Sequence, residues 1–179
     1  MIKLYYIILK DKIRSWKNFI KNIWLFRKEL TDFHWWDYSG LIQFMNTGIN
    51  EMVNGIENKG SEIKSTKMKK VAKMRRACEI LQNHIDDNYT TMAENIVGKL
   101  YDSEIKFVPL EDRPDLFSVE DGLTEEQRDH NHEVFLKSRE LEVEEWKEFC
   151  EIIKGQGDFF EQDEWEEKFD GSGLKNWGD

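Results

Sequence analysis

Apolar positions recur along most of this chain at steps of three and four, the spacing that puts side chains on one face of a helix. Over residues 2–31, Ile13, Trp16, Ile20, Ile23/Trp24 and Phe26 keep that step, with a break expected near Asp11. Ser39 is placed to cap a second helix over about 40–57, whose apolar face would be Leu41, Phe44/Met45, Gly48, Met52 and Ile56. Asn58-Lys59-Gly60-Ser61 reads as a turn. The clearest helix spans 62–86, with Ile63, Val71, Met74, Ala77/Cys78, Leu81 and Ile85 along one side. Asp87-Asn88 interrupts it, and a shorter helix over 88–101 carries Tyr89, Met92, Ile96 and Leu100.

The period then fails. Residues 102–122 hold Pro109, Pro114 and Gly122 and are expected to form a long loop, either a flap or a packed arm, with Ile105–Leu110 as the one ambiguous strand pattern. Thr124 and Gln127 have the form of a capping box and predict a long acidic helix to about Ile153, with Leu141, Trp146, Phe149 and Ile153 inward. Gly155 and Gly157 stop it. Residues 158–170 place Phe159, Phe160, Trp165 and Phe169 among seven acids and predict one last short helix. In the glycine-rich tail, Trp177 is expected to dock back. The expected fold class is all-α: a helical bundle of five or six helices with a long loop around residues 102–122. The expected division is a helical domain over 1–157 and an acidic aromatic C-terminal segment over 158–179, docked or forming an interface between copies.

Composition supports a folded core. Among 179 residues, 39% are hydrophobic, with 7 Trp, 11 Phe and 5 Tyr, and only 2 are Pro. The formal net charge is -10, but it is unevenly placed. Residues 1–80 carry a net +8 and residues 81–179 a net -18. That split means two surfaces with different partners, two halves that attract each other, or two solvated faces of opposite sign. It argues against duplex nucleic acid as the partner, since carboxylates of the second half repel phosphate.

Near the N-terminus the apolar run Leu4–Leu9 is too short to span a bilayer, which needs about 20 residues. No transmembrane segment and no signal peptide are expected. The basic, aromatic stretch that follows would suit a membrane surface, but packing on the domain is the expected arrangement. Cys78 and Cys150 lie in no CxxC and are expected to be buried free thiols of a reducing cytosol, although the sequence alone does not decide whether they pair.

The densest chemistry lies in residues 24–38. It supplies flat rings, a guanidinium at Arg27, an imidazole at His34 and carboxylates at Asp32 and Asp37. Rings stack on a nucleobase, and arginine grips phosphate or carboxylate in two-point fashion. The bland counterpart is a core corner in which Asp37 caps the next helix and pairs with Arg27. Phe26-Arg27-Lys28-Glu29-Leu30, Asp32-Phe33 and Trp36-Asp37-Tyr38, followed by a helix with Leu41 and Met45 and then a lysine-rich helix from Lys67 to Leu81, resemble a group of small uncharacterised proteins of tailed phages and large DNA viruses. The resemblance covers about residues 24–90. It implies a viral origin and no particular chemistry.

Three further patterns carry candidate chemistry. Lys64, Lys67, Lys70 and Lys73 recur at steps of three and suggest a face for phosphates, or a solvated face paired with the acidic helix. His130 and His132 are two apart, a poor chelate on a helix, and His84 with Asp87 supplies two ligands at most. Glu142, Glu145 and Glu148, with Asp86 and Asp87, have the local spacing of magnesium-binding all-α nucleotide hydrolases, a pattern that acidic helices also produce by chance.

No phosphate loop or dinucleotide fingerprint is present. The sequence leans away from an enzyme and implies no catalytic residue, no metal and no cofactor. The expected function is a viral, non-catalytic binding protein of the infected host's cytoplasm, active in counter-defence. It would sequester a small phosphorylated, nucleotide-like ligand or bind a host defence protein. Arg27, His34, Trp36 and Tyr38 would hold base and sugar, and Lys67, Lys70 and Lys73 the phosphates. The alternatives are a magnesium-dependent nucleotide hydrolase, an acidic protein inhibitor that mimics nucleic acid, and self-association through 158–177.

Overall fold

The computed structural model describes residues 2–34, 36–59, 63–110, 112–156 and 168–178, with side-chain surroundings from Leu9 onward, Lys59 and Pro114 excepted. The Gly60-Ser61 turn, Trp35, Phe159, Phe160 and Trp165 lie outside the described residues, as does most of the helix expected over 158–170. The fold is all-α. Among the described residues there are six α-helices: α1 (Ile2–Leu25), α2 (Arg27–Asp32), α3 (Tyr38–Lys59), α4 (Lys64–Ile85), α5 (Tyr89–Val97) and α6 (Glu125–Lys154). A two-stranded sheet, β1 (Lys106–Leu110) and β2 (Arg113–Glu120), and a 3-10 turn at Leu174–Trp177 complete the list.

Contacts do not divide the chain at residue 157. One unit comprises Met1–Ile85 with Phe149–Asp179, and the other Asp86–Glu148. The expected C-terminal segment thus belongs, in its described part, to the first unit. Its Phe169 and Trp177 are buried, 2% and 1% exposed.

In the first unit α3 and α4 run antiparallel. Asn46 Nδ2 donates to Gln82 Oε1 at 2.9 Å, while near the other end Arg75 Nη2 donates to Glu57 Oε1 at 2.6 Å. The seam between them is Ile42, Ile49, Val53 and Ile56 on α3 against Met74, Ala77, Cys78 and Leu81 on α4. Phe149 and Ile152 of α6 and Trp177 close it. The α3 face differs from the expected one, because Leu41 and Met45 are exposed. The helix carries two apolar stripes. Ile42, Ile49, Val53 and Ile56 meet α4, while Phe44 packs its ring on Phe26 and Phe33 at 5.4 and 5.9 Å.

The C-terminal segment reaches this core by glycine contacts. A Cβ on Gly171 would lie 2.2 Å from the Lys69 carbonyl oxygen, and one on Gly155 would lie 2.5 Å from Gly173 Cα. Both glycines have positive φ, +92° and +71°, which glycine alone adopts without strain. The Gly173 amide donates to Ile152 O at 2.8 Å, and the Trp177 indole Nε1–H donates to Gly171 O at 2.9 Å. The indole therefore loses no hydrogen bond on burial.

α1 runs unbroken through Asp11, whose carboxylate pairs with Arg14 at 3.3 Å. The break falls at Phe26 instead, just before α2. Nor does α1 pack its apolar face on the domain, since Ile13, Trp16, Ile20 and Trp24 are all at least half exposed. No described helix is long and apolar enough to cross a membrane.

In the second unit, Tyr89 and Ala93 of α5 and Val134 of α6 are buried, and the Tyr89 hydroxyl donates to Glu145 Oε2 at 3.2 Å. Thr124 caps α6 as expected. Its amide donates to Gln127 Oε1 at 2.9 Å, and the Gln127 amide donates back to Thr124 Oγ1 at 3.3 Å. The segment expected to be a long loop instead holds the antiparallel hairpin β1–β2. Phe107 pairs with Val119 and Pro109 with Phe117, and the register shifts between Pro109 and Leu110. Each strand has a partner on one side only, so a proline can sit where its missing N–H faces solvent. All of β1 is exposed, so the segment is an arm that carries its apolar residues uncovered.

Cys78 and Cys150 are both free. Cys78 is buried, as expected, but Cys150 is exposed. Burial pushes the Cys78 thiol up to about 11. Iodoacetamide at pH 8 should therefore label Cys150 in the folded protein and Cys78 only after denaturation, as read by peptide mass spectrometry. Trp177→Ala should cost about 3–5 kcal/mol in a urea denaturation, the usual range for emptying a buried aromatic site.

Candidate functional site

Two places bring together the residues singled out in the sequence, and they are far apart. The first is the aromatic corner between α2 and α3. Asp37 is the cap of α3, and Ser39 is not. Its Oδ1 accepts the Ser39 amide at 2.9 Å and its Oδ2 accepts the Ser39 hydroxyl at 2.7 Å. Those two bonds hold the Asp37 carboxyl below the usual carboxylate range.

Arg27 does not pair with Asp37. Its Nη1 donates to Trp24 O at 2.6 Å, and the guanidinium carbon sits 4.5 Å from the centroid of the Trp24 ring. His34 Nδ1–H donates to Asp32 O at 2.9 Å, and its ring lies 5.0 Å from that of Trp36. Trp36 and Tyr38 are 68% and 66% exposed. These rings lie on the surface, and Tyr38 leans edge-on to His84 at 5.9 Å, near the C-terminal end of α4.

The second place is the lysine series, and the structure splits it. A residue turns a helix by roughly 100°, so a step of three falls short of a full turn by roughly 60°. From Lys64 to Lys73 the shortfall reaches roughly half a turn. The four lysines therefore wind around α4 and do not share a face. Lys70 is 6% exposed, on the stretch of α4 that Gly171 covers. Lys73 pairs with Asp170 at 3.6 Å. Lys67 stays on the outer side and donates from Nζ to Glu57 O at 2.8 Å. Lys67 and His84 are 17 residues apart on one helix, roughly 25 Å, so a single small ligand does not touch both the lysines and the corner at Tyr38.

What α4 does present is a groove beside the end of α3. Lys64, Lys67, Met68, Val71, Ala72 and Arg75 line it together with Glu57, around a volume of about 560 Å³. The steps between these α4 positions are three, one, three, one and three, which hold one face without drift. Met68, Val71 and Ala72 supply its apolar lining, and Lys64, Lys67 and Arg75 its cations. Glu57 binds two of these cations: its carbonyl takes Lys67, and its carboxylate takes Arg75 at 2.6 Å. One carboxylate among three cations leaves the groove positive.

Only part of this was anticipated. Lys67 was among the expected ligand residues. Glu57, Met68 and Ala72 were not, although the alternating steps from Lys64 to Arg75 are visible in the sequence.

Among the remaining candidates, Glu142, Glu145 and His130 have structural partners. Glu145 is buried beneath Tyr89, and Glu142 lies 4.0 Å from Arg139. His130 Nε2 lies 3.1 Å from Lys99 O, and its ring packs on Tyr101. Among the described residues, no group of three or more His, Cys, Asp or Glu side chains is placed to hold a metal ion.

Because the folded Asp37 carboxyl titrates below its unfolded value, its cap is fully stabilising above the ordinary carboxylate range. That contribution is lost as pH falls through the lowered pKa. Ser39→Ala should move the Asp37 titration upward, followed by carboxyl-carbon NMR against pH. No protein-family model, no curated protein and no solved structure matches the chain.

Proposed function

We propose that the protein acts by occupancy, binding a small phosphorylated, nucleotide-like molecule in the groove between the end of α3 and the first half of α4. The observation that carries this reading is the lining itself, in which Met68, Val71 and Ala72 stand beside Lys64, Lys67 and Arg75. A flat apolar surface accepts one face of a base, and cations at its edge take phosphate oxygens. The volume of about 560 Å³ suits a nucleotide-sized ligand. Arg75 is held beside the groove by Glu57, and its planar fork has further N–H donors for an anion.

Binding without turnover agrees with the absence of a phosphate-loop motif from the sequence. A viral origin is supported by the resemblance over residues 24–90, and a counter-defence role is proposed together with it. In that setting, sequestering a nucleotide signal is a task that needs affinity but no catalyst. Arg27, His34, Trp36 and Tyr38 are assigned to a separate surface, suited to a protein partner such as a host defence component.

The test is to heat-denature purified protein and identify the released small molecules by mass spectrometry, then to measure binding of a nucleotide panel by calorimetry. Intact ligand is expected, and its affinity should fall as salt rises. Lys67→Glu and Arg75→Glu should each weaken binding at least tenfold, while Arg27→Ala and Tyr38→Ala should leave it unchanged. Retention of full affinity in the two charge reversals removes the groove from the assignment. Recovery of a hydrolysed product favours the magnesium-dependent hydrolase instead.

A further inference from the structure

Helix α1 carries an apolar face that, among the described residues, no other part of its unit covers. Leu9, Ile13, Trp16, Ile20, Ile23 and Trp24 are between 45% and 69% exposed. At roughly 100° per residue, the first five fall within an arc of roughly 80°, and Trp24 extends its edge. The face is thus a continuous stripe along the helix, and Trp16 packs edge-on against Phe19 at 5.8 Å beside it. The cations are placed around this stripe. Lys12 lies at one margin, Lys10 and Lys17 at the other, and Lys21 and Arg14 farther round. The single acid among residues 9–25, Asp11, is on the opposite side and paired with Arg14.

A second copy of the chain is a poor occupant for this face. Bringing two such stripes together would set lysine margin against lysine margin. An anionic surface meets both features at once, because it takes the apolar side chains between its headgroups and the margin lysines against its charge. Tryptophan is the side chain that settles best at that depth, with its ring below the headgroups and its N–H in the wet layer. The helix would lie along such a surface and not pass through it, since it is too polar to cross.

We infer that α1 is an interfacial helix that docks the protein on an anionic lipid bilayer through Leu9, Ile13, Trp16, Ile20, Ile23 and Trp24. This inference does not depend on the ligand of the α3/α4 groove.

The experiment is vesicle flotation of the full chain, using phosphatidylcholine alone or phosphatidylcholine doped with phosphatidylglycerol. The protein should float with the doped vesicles and stay behind with the neutral ones. Added salt should release it as the screening length falls below about 8 Å. Ile13→Asp with Ile20→Asp should reduce the floated fraction at least tenfold. Both positions face solvent, so the thermal midpoint of that variant should be unchanged. Lys10→Gln with Lys12→Gln and Lys17→Gln, which leaves the apolar stripe intact, should abolish the preference for doped vesicles whatever the aspartate variant does to folding.

Failure of the wild-type protein to float with doped vesicles overturns the inference, as does equal flotation of the lysine variant. A dimer seen by light scattering without lipid, and split by the aspartate pair, also overturns it and assigns the face to a second copy.

Discussion

The antiparallel seam of α3 and α4 is the constraint from which the first unit follows. Ile42, Ile49, Val53 and Ile56 need a surface of matching length, and Met74, Ala77, Cys78 and Leu81 provide it. Two helices cannot by themselves enclose a core, since each covers only one side of the other. Phe149, Ile152 and Trp177 supply the missing side. Trp177 gets there because the glycines at 171 and 173 let the backbone lie directly against α4 and the end of α6. A methyl group at either Gly155 or Gly171 would meet backbone atoms, so the approach is fixed by main-chain geometry.

The same packing decides what the cations of α4 can do. Covering one side of α4 buries Lys70 and sets Asp170 beside Lys73. The side left open carries Lys64, Lys67 and Arg75 around Met68 and Val71. The groove is thus the part of α4 that the core does not use. Glu57 of the basic half and Asp170 of the acidic half both meet α4 cations locally.

Features that depend on neighbours in sequence were legible before the fold was known. The reciprocal cap of Thr124 and Gln127, the stop at Gly155 and the return of Trp177 are of this kind. Features that depend on which of several apolar stripes is chosen were not. On α3, the Phe44 stripe and the Ile42 stripe are both credible, and only the partner helix selects between them. The lysine series failed for a geometric reason, since a step of three does not hold a face for long. The hairpin at 106–120 was masked by its prolines, which a sheet of two edges tolerates. The stripe on α1 was legible as a stripe, but periodicity says only that a face is apolar and is silent on what lies against it.

The first unit is closed by residues far downstream of α4 in sequence, and this has a consequence for how the protein is made. When α4 leaves the ribosome its inner face has only α3 to lean on, and Trp177 is still 92 residues from being added after Ile85. At about 5–20 residues per second, Phe149 follows Ile85 after roughly 3–13 s and Trp177 after roughly 5–18 s. Through that interval the whole of residues 86–148 is synthesised, a stretch whose contacts lie mostly within itself. The inserted unit can therefore be finished before the one that encloses it in sequence. Sequence spacing alone lets the middle of this chain be complete before the seam of α3 and α4 receives Trp177.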